Sequence, residues 1–214
     1  QFCGGCIDEV LHGDRFQAAG VCSHQAWSQS MVLHPVLEGM LGLKVDALKR
    51  TLHLSPYFPP HWKKAEVRNI RVGDQRFGFK MRRTENETNY TIFPETRFAR
   101  AKHRTNASLY FKPIFPLGTE ILDIRIGSRI DRVHALVDEY SSLPVIRAKL
   151  KTKLEIRIRH TGGMAVIPPV PHLRLGEGSR GIRIINEKWR QRSYILIVEG
   201  RIGREYLLDV LDHS

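Results

Sequence analysis

The feature that most constrains this chain is a run of period-two alternation between cations and apolar residues. It is clearest in Arg76-Phe77-Gly78-Phe79-Lys80-Met81-Arg82 and in Lys153-Leu154-Glu155-Ile156-Arg157-Ile158-Arg159. Successive side chains of a strand point to opposite faces, so this pattern describes strands buried on one face and solvated on the other. From Thr51 onward, short runs rich in Val, Ile, Phe and Tyr are separated by Gly, Pro and Asn signals. Expected strands are Thr51–Leu54, Ala65–Val72, Arg76–Arg82, Asn89–Phe93, Ser108–Lys112 and Glu120–Ile126. They continue with Arg132–Val137, Val145–Leu150, Leu154–His160, Gly181–Asn186, Tyr194–Glu199 and Glu205–Val210. Such a succession without an intervening helical period predicts a mainly β fold, a sandwich of antiparallel sheets.

The same region carries a faint internal repeat. Ser55-Pro56-Tyr57-Phe58-Pro59 through Ile70-Arg71-Val72-Gly73 is echoed by Lys112-Pro113-Ile114-Phe115-Pro116 through Ile124-Arg125-Ile126-Gly127. One strand-loop-strand unit is used twice. The polar, basic stretch from Glu95 to Ala107 reads as a linker, dividing residues 46–214 into halves at 46–97 and 106–214. Pro168-Pro169-Val170-Pro171 lacks three of four N–H groups and reads as a polyproline strap.

Residues 1–45 have a different texture. Ile7–Leu11 reads as a helix end, Gly13–Gly20 as a loop, and Ser23 as the N-cap of a second helix running to Leu41. Its apolar set, Trp27, Met31, Val32, Leu33, Val36, Leu37, Met40 and Leu41, predicts burial on a broad face. Pro35 should kink or break that helix, unless its second half restarts with Pro35 in the first turn, and Gly42 is placed as its C-cap. This hairpin alone cannot cover so apolar a helix, so further helices or a second chain are expected to bury it.

Charge is unevenly placed. Residues 1–45 hold four acids and two bases, while the remainder carries 32 bases against 18 acids, a net +14. An excess on this scale suits a nucleic-acid module, but the cations alternate with apolar residues rather than cluster. A solvated sheet face is the favoured reading, and no nucleic-acid partner is expected. No run approaches the roughly 18 apolar residues that span a bilayer, so no membrane partner is expected and the chain reads as soluble and cytoplasmic, with secretion left open. Cys3, Cys6, Cys22 and His24 have the ligand types of a zinc site. A CxxC without a second CxxC is a weak signal, and small thiols packed between helices are the favoured account. Neither metal nor cofactor is expected.

Glu9, Gly13 and the run Gly20-Val21-Cys22-Ser23-His24-Gln25-Ala26-Trp27-Ser28 resemble the last inner helix pair of glycoside hydrolases of the amylo-alpha-1,6-glucosidase and glycogen-debranching type. Asp8 stands where that family usually has Pro or Ser. Weaker similarity extends through Gly39–Leu43, Leu52–Trp62, Val67–Gly73, Val166–Arg174 and Gly181–Ile184. The resemblance implies that residues 1–45 are the end of an (α/α)6 catalytic barrel and that residues 46–214 are the β-sandwich following it. It implies hydrolysis of α-glucosidic linkages in an α-glucan or oligosaccharide, with Glu9 as the catalytic base. Trp27 would stack on a sugar face while His24 and Gln25 bond its hydroxyls. Glycoside hydrolysis needs two carboxyl groups, and none in this chain partners Glu9, so the acid is expected on an earlier hairpin. The chain is therefore expected to be a C-terminal portion completed by an N-terminal catalytic region or by another chain. Asp8 and Asp14 read as solvated or capping, and His24 with Ser28 lacks the third member of a hydrolase triad. The alternative is a non-catalytic carbohydrate-binding or protein-interaction sandwich, which requires aromatics such as Trp62, Trp189 and Tyr140 to share one surface.

Overall fold

The computed structural model describes residues 12–15, 26–95, 107–138, 143, 145–167, 169 and 181–212, apart from the side chains of 27–29 and 132–134. The protein is mainly β, with antiparallel pairing dominant. The described residues form fourteen strands: β1 Lys44–Asp46, β2 Thr51–Leu54, β3 Lys64–Val72, β4 Gln75–Arg83, β5 Glu87–Pro94, β6 Ala107–Phe111 and β7 Glu120–Ile126. They are followed by β8 Arg129–Leu136, β9 Ile146–Leu150, β10 Leu154–Thr161, β11 Met164–Ile167, β12 Arg183–Arg190, β13 Ser193–Glu199 and β14 Asp209–Asp212.

Two main sheets share one core. The larger has six strands in the order β3-β4-β5-β10-β7-β8, and the smaller has four in the order β1-β2-β6-β9. Alternation does the sorting. In β10 the residues Ile156 and Ile158 are buried while Glu155, Arg157 and Arg159 are exposed. Leu52, Leu54, Leu109, Phe111 and Leu150 from the small sheet meet Phe77, Phe79, Met81, Tyr90 and Ile92 from the large one, all at most 1% exposed. A ladder of rings links the sheets, from Phe58 to Phe79 to Tyr90 at 6.1 Å each and on to Phe111 at 4.9 Å, edge-on. Full burial of such side chains contributes about 1.5–3 kcal/mol apiece.

The repeat is visible in the strands. β2 and β6 pair in parallel, Leu52 opposite Leu109 and Leu54 opposite Phe111, a pairing that needs the long crossover supplied by β3 to β5. Each then feeds a proline-rich loop and a hairpin of the large sheet, β3-β4 or β7-β8, whose turns carry Gly73 (φ +62°) and Gly127 (φ +57°). Strands of the 46–97 and 106–214 stretches thus pair directly, β2 with β6 and β5 with β10. Two smaller ribbons, β11-β14 and β12-β13, complete the described residues.

The expected helical hairpin finds no support. Its first arm, Ile7–Leu11, lies outside the described residues, and the described part holds one α-helix, α1 (Ala26–His34). At Pro35 the helical backbone continues, but a new element begins with the proline in its first turn. The helix widens into a π-helical stretch, Pro35–Met40, in which Leu41 N–H donates to the Val36 carbonyl at 3.1 Å. A wider turn accommodates a residue that has no N–H to give. Gly42 closes the segment at φ +59°, where an added Cβ would stand 2.6 Å from Ser55. Within the described residues much of the apolar face of this segment is uncovered, Met31 at 70% and Leu33 at 59% exposed, while Leu41 at its end is 1% exposed in the core. No helix among the described residues is long and apolar enough to cross a membrane.

Candidate functional site

The two copies of the repeat build a cleft. Beyond β2 and β6 the chain enters Ser55–Pro59 and Lys112–Pro116, where prolines end regular pairing. The loops stay zipped together by Lys112 N–H to the Leu54 carbonyl at 2.9 Å and Ile114 N–H to the Pro56 carbonyl at 3.0 Å. Extended backbone alternates its side chains, so Phe58 and Phe115 turn into the core while Tyr57 and Ile114 turn outward, 51% and 43% exposed. Tyr57 N–H donates to the Met40 carbonyl at 2.7 Å, which ties the helical segment to this loop.

Around the loops, β11 contributes Met164 and Ala165, and β12 contributes Asn186 and Glu187. The resulting cleft has a volume of about 690 Å³ counted to its open mouth, with a floor of Phe58, Ile114, Phe115 and Pro116. Glu187 sets its electrostatics. Burial raises the pKa of the Tyr57 phenol, and the nearby Glu187 carboxylate raises it further. Tyr194, across the β12-β13 hairpin, is raised by burial and then by Glu187. Its hydroxyl is shielded from solvent, with the Glu187 carboxyl and the Val166 backbone beside it. The cleft therefore offers the neutral phenol of Tyr57 beside the Glu187 side chain, above an apolar floor.

That set suits binding better than acid–base chemistry. Glu187 is the only carboxylate among the lining residues described, whereas glycoside hydrolysis needs two. Two tryptophans flank the cleft. Trp62 is 39% exposed and its ring stacks on Phe58 at 6.0 Å. Trp189 lies against Gly118, where an added Cβ would meet the indole at 2.7 Å. Tyr140, the third aromatic expected on such a surface, lies outside the described residues.

Of the residues read from sequence as catalytic or substrate-binding, Trp27 alone falls among the described residues. Glu9, His24 and Gln25 lie outside the described residues, as do Cys3, Cys6 and Cys22. Trp27 belongs to α1, but its side chain is outside the described set. Among the described residues no group of three or more His, Cys, Asp and Glu is placed to hold a metal ion. The buried His160 is structural, its Nε2 3.0 Å from the Thr88 hydroxyl and its ring 5.1 Å from Phe115.

Sequence reasoning missed Tyr57, Glu187 and Tyr194. One signal was present for the first, since Tyr57 occupies the outward position filled by Ile114 in the other repeat. Nothing local marked Glu187, which reaches the cleft through the β12-β13 hairpin, or Tyr194, which lies beside Glu187. No family model matches the chain, and no curated protein matches it.

Proposed function

We propose that this chain is the C-terminal portion of a glycoside hydrolase acting on α-glucosidic linkages, of the debranching type, with Glu9 as the base of a general acid/base pair. In this reading residues 1–45 belong to an (α/α)6 catalytic barrel, His24, Gln25 and Trp27 bind the sugar, and the sandwich buttresses the barrel. The observation that carries it is the apolar surface of the helical segment: Met31, Val32, Leu33, Val36 and Leu37 are all exposed on a segment tied by backbone hydrogen bonds to the sandwich. Missing barrel helices would cover that surface. The test begins with the intact mass of the natural gene product against the 24.6 kDa of this chain. A much larger product should release sugar from an α-glucan, and Glu9→Gln should lower its kcat by about 10²- to 10⁴-fold. Turnover by the 214-residue chain that survives Glu9→Gln would sink the assignment.

The cleft favours a second reading, a non-catalytic carbohydrate-binding sandwich. Aromatic faces beside a few convergent polar groups are how sugar sites combine apolar contact with hydroxyl recognition. In that case the chain binds a malto-oligosaccharide in calorimetry without cleaving it, and Tyr57→Ala removes the heat. Unchanged binding by that variant excludes the cleft.

A further inference from the structure

The outer face of the six-stranded sheet holds one row of residues that breaks the charge pattern of its neighbours. Register places Lys64 opposite Arg82, Arg82 opposite Asn89, Asn89 opposite Arg157, and Arg157 opposite Arg125. Four of five consecutive strands therefore contribute a cation to a single line. At about 4.8 Å per strand the line is about 19 Å long. The adjoining rows are compensated in the ordinary way. Glu66 faces Lys80 and pairs with it at 3.4 Å, and Arg159 stands between Glu87 and Asp123.

Like charges directly opposed across a sheet are destabilising, and this row contains two such couples, Lys64 with Arg82 and Arg157 with Arg125. Arg157 is relieved by an ion pair with Glu87. Lys64, Arg82 and Arg125 are exposed and have no ion-pair partner among the described residues. The uncharged Asn89 separates the couples, whose centres lie about 14 Å apart, three strand spacings. An arrangement that costs stability and leaves its charges unanswered is suited to an anion from outside.

The chemistry of the flanking rows selects the class of anion. Glu66 and Glu155 border the line on one side, Glu87 and Asp123 on the other. These carboxylates repel a duplex that carries one charge per about 1.7 Å. A single-stranded nucleic acid would need aromatic platforms. The ring of Phe93 on this face is instead laid over Gly78, with Lys80 5.5 Å above it. A polymer with widely spaced anions and neutral hydroxylated units between them meets neither obstacle.

We propose that this row binds a sparsely anionic polysaccharide, whose phosphate or carboxylate groups seat on the two cation couples while neutral sugars cross the carboxylate-bearing rows. The inference rests on the carbohydrate reading for its polymer, but uses none of the residues assigned to hydrolysis or to the cleft.

Affinity electrophoresis of the 214-residue chain through gels of phosphate-bearing amylopectin tests it. Retention should fall when the polymer is first treated with phosphatase. The variant Lys64→Gln/Arg82→Gln/Arg125→Gln should bind about tenfold more weakly, the combined effect of three exposed charge contacts. Lys49→Gln/Arg192→Gln/Arg204→Gln removes the same net charge from exposed turn and loop positions and should retain binding. Equal loss in the two triple variants would mean that only net charge matters and would overturn the proposal. So would unchanged retention on the dephosphorylated polymer, or tighter binding to a DNA duplex at the same salt. Hydrolysis by the natural gene product is a separate readout, so failure here leaves the hydrolase assignment standing on its own test.

Discussion

Leu52, Leu54 and Leu109 lose all contact with solvent between the two sheets, whereas Leu33 on the helical segment remains 59% exposed. The β12-β13 hairpin behaves like the helix, with Ile185, Ile195, Ile197 and Val198 between 41% and 52% exposed. Residue type is the same and burial is opposite. The sandwich satisfies itself, since each buried strand face meets another sheet. The helix and the hairpin carry apolar surface beyond what their own docking needs, as segments do that meet a further surface. Burial is thus concentrated between the two main sheets, and unassigned binding capacity lies in what is attached to them.

The sharpest way to break that contrast is to truncate each region in turn. Phe79 is fully buried and sits in the ring ladder between Phe58 and Tyr90. Phe79→Ala should cost about 3–5 kcal/mol in urea unfolding, from lost transfer energy and a cavity that rigid neighbours cannot fill. A loss below about 1 kcal/mol would mean that the two sheets do not share this core.

Gly42 probes the joint between the regions. Its φ of +59° disfavours any side chain, and a Cβ there would stand 2.6 Å from the Cβ and carbonyl oxygen of Ser55. Gly42→Ala should therefore cost about 1–3 kcal/mol. Because Ser55 N–H bonds the Leu41 carbonyl at 3.1 Å, the strain falls on the connection to the Tyr57 loop. An unperturbed variant would show that helix and sandwich are joined more loosely than this contact implies.

On the helix itself the effect should be small. Leu33→Gln and Leu37→Gln in the 214-residue chain should each shift stability by no more than about 0.5 kcal/mol, as for other exposed positions. In a larger natural product with further helices packed on that face, the same changes would be core substitutions and should cost several times more. Equal effects in the two settings would remove the support that this face lends to the barrel assignment.

Legibility in the sequence followed the same division. Thr51–Leu54 and Glu120–Ile126 were readable to the residue because alternation between a core and water is a local pattern. β1 is absent from the expected strands because three residues in a charged stretch show no period, and β11 because its four residues lie between Gly162-Gly163 and Pro168. β14 begins at Asp209, four residues later than its run of apolar residues suggested. The helix was readable as too apolar for its own hairpin to cover, but what packs against it is not a local property of the sequence. The candidate cleft was almost illegible. Tyr57, Glu187 and Tyr194 come from a loop and both strands of a distant hairpin, and only the tertiary fold brings them together. The row of cations on the large sheet was visible as alternation, but its alignment across strands depends on register.

The finest test asks whether the β12-β13 hairpin is held on the sandwich as firmly as the cleft requires. Tyr57 belongs to the loop after β2, Tyr194 to β13, and the Glu187 carboxylate adds to what burial does in raising both phenols above their ordinary range. A raised folded pKa favours the native state below the unfolded value of about 10, and that advantage is lost as pH rises through the folded value. Both effects lie in alkaline solution, so Glu187→Gln should leave unfolding at neutral pH unchanged. It should move part of the ultraviolet phenolate titration to lower pH, since one carboxylate charge is removed from beside two tyrosines. Tyr57→Phe and Tyr194→Phe, made separately, should each delete a portion of that shift. If only the Tyr194→Phe variant deletes it, Glu187 communicates within its own hairpin alone, and the cleft between hairpin and loop is not closed in solution.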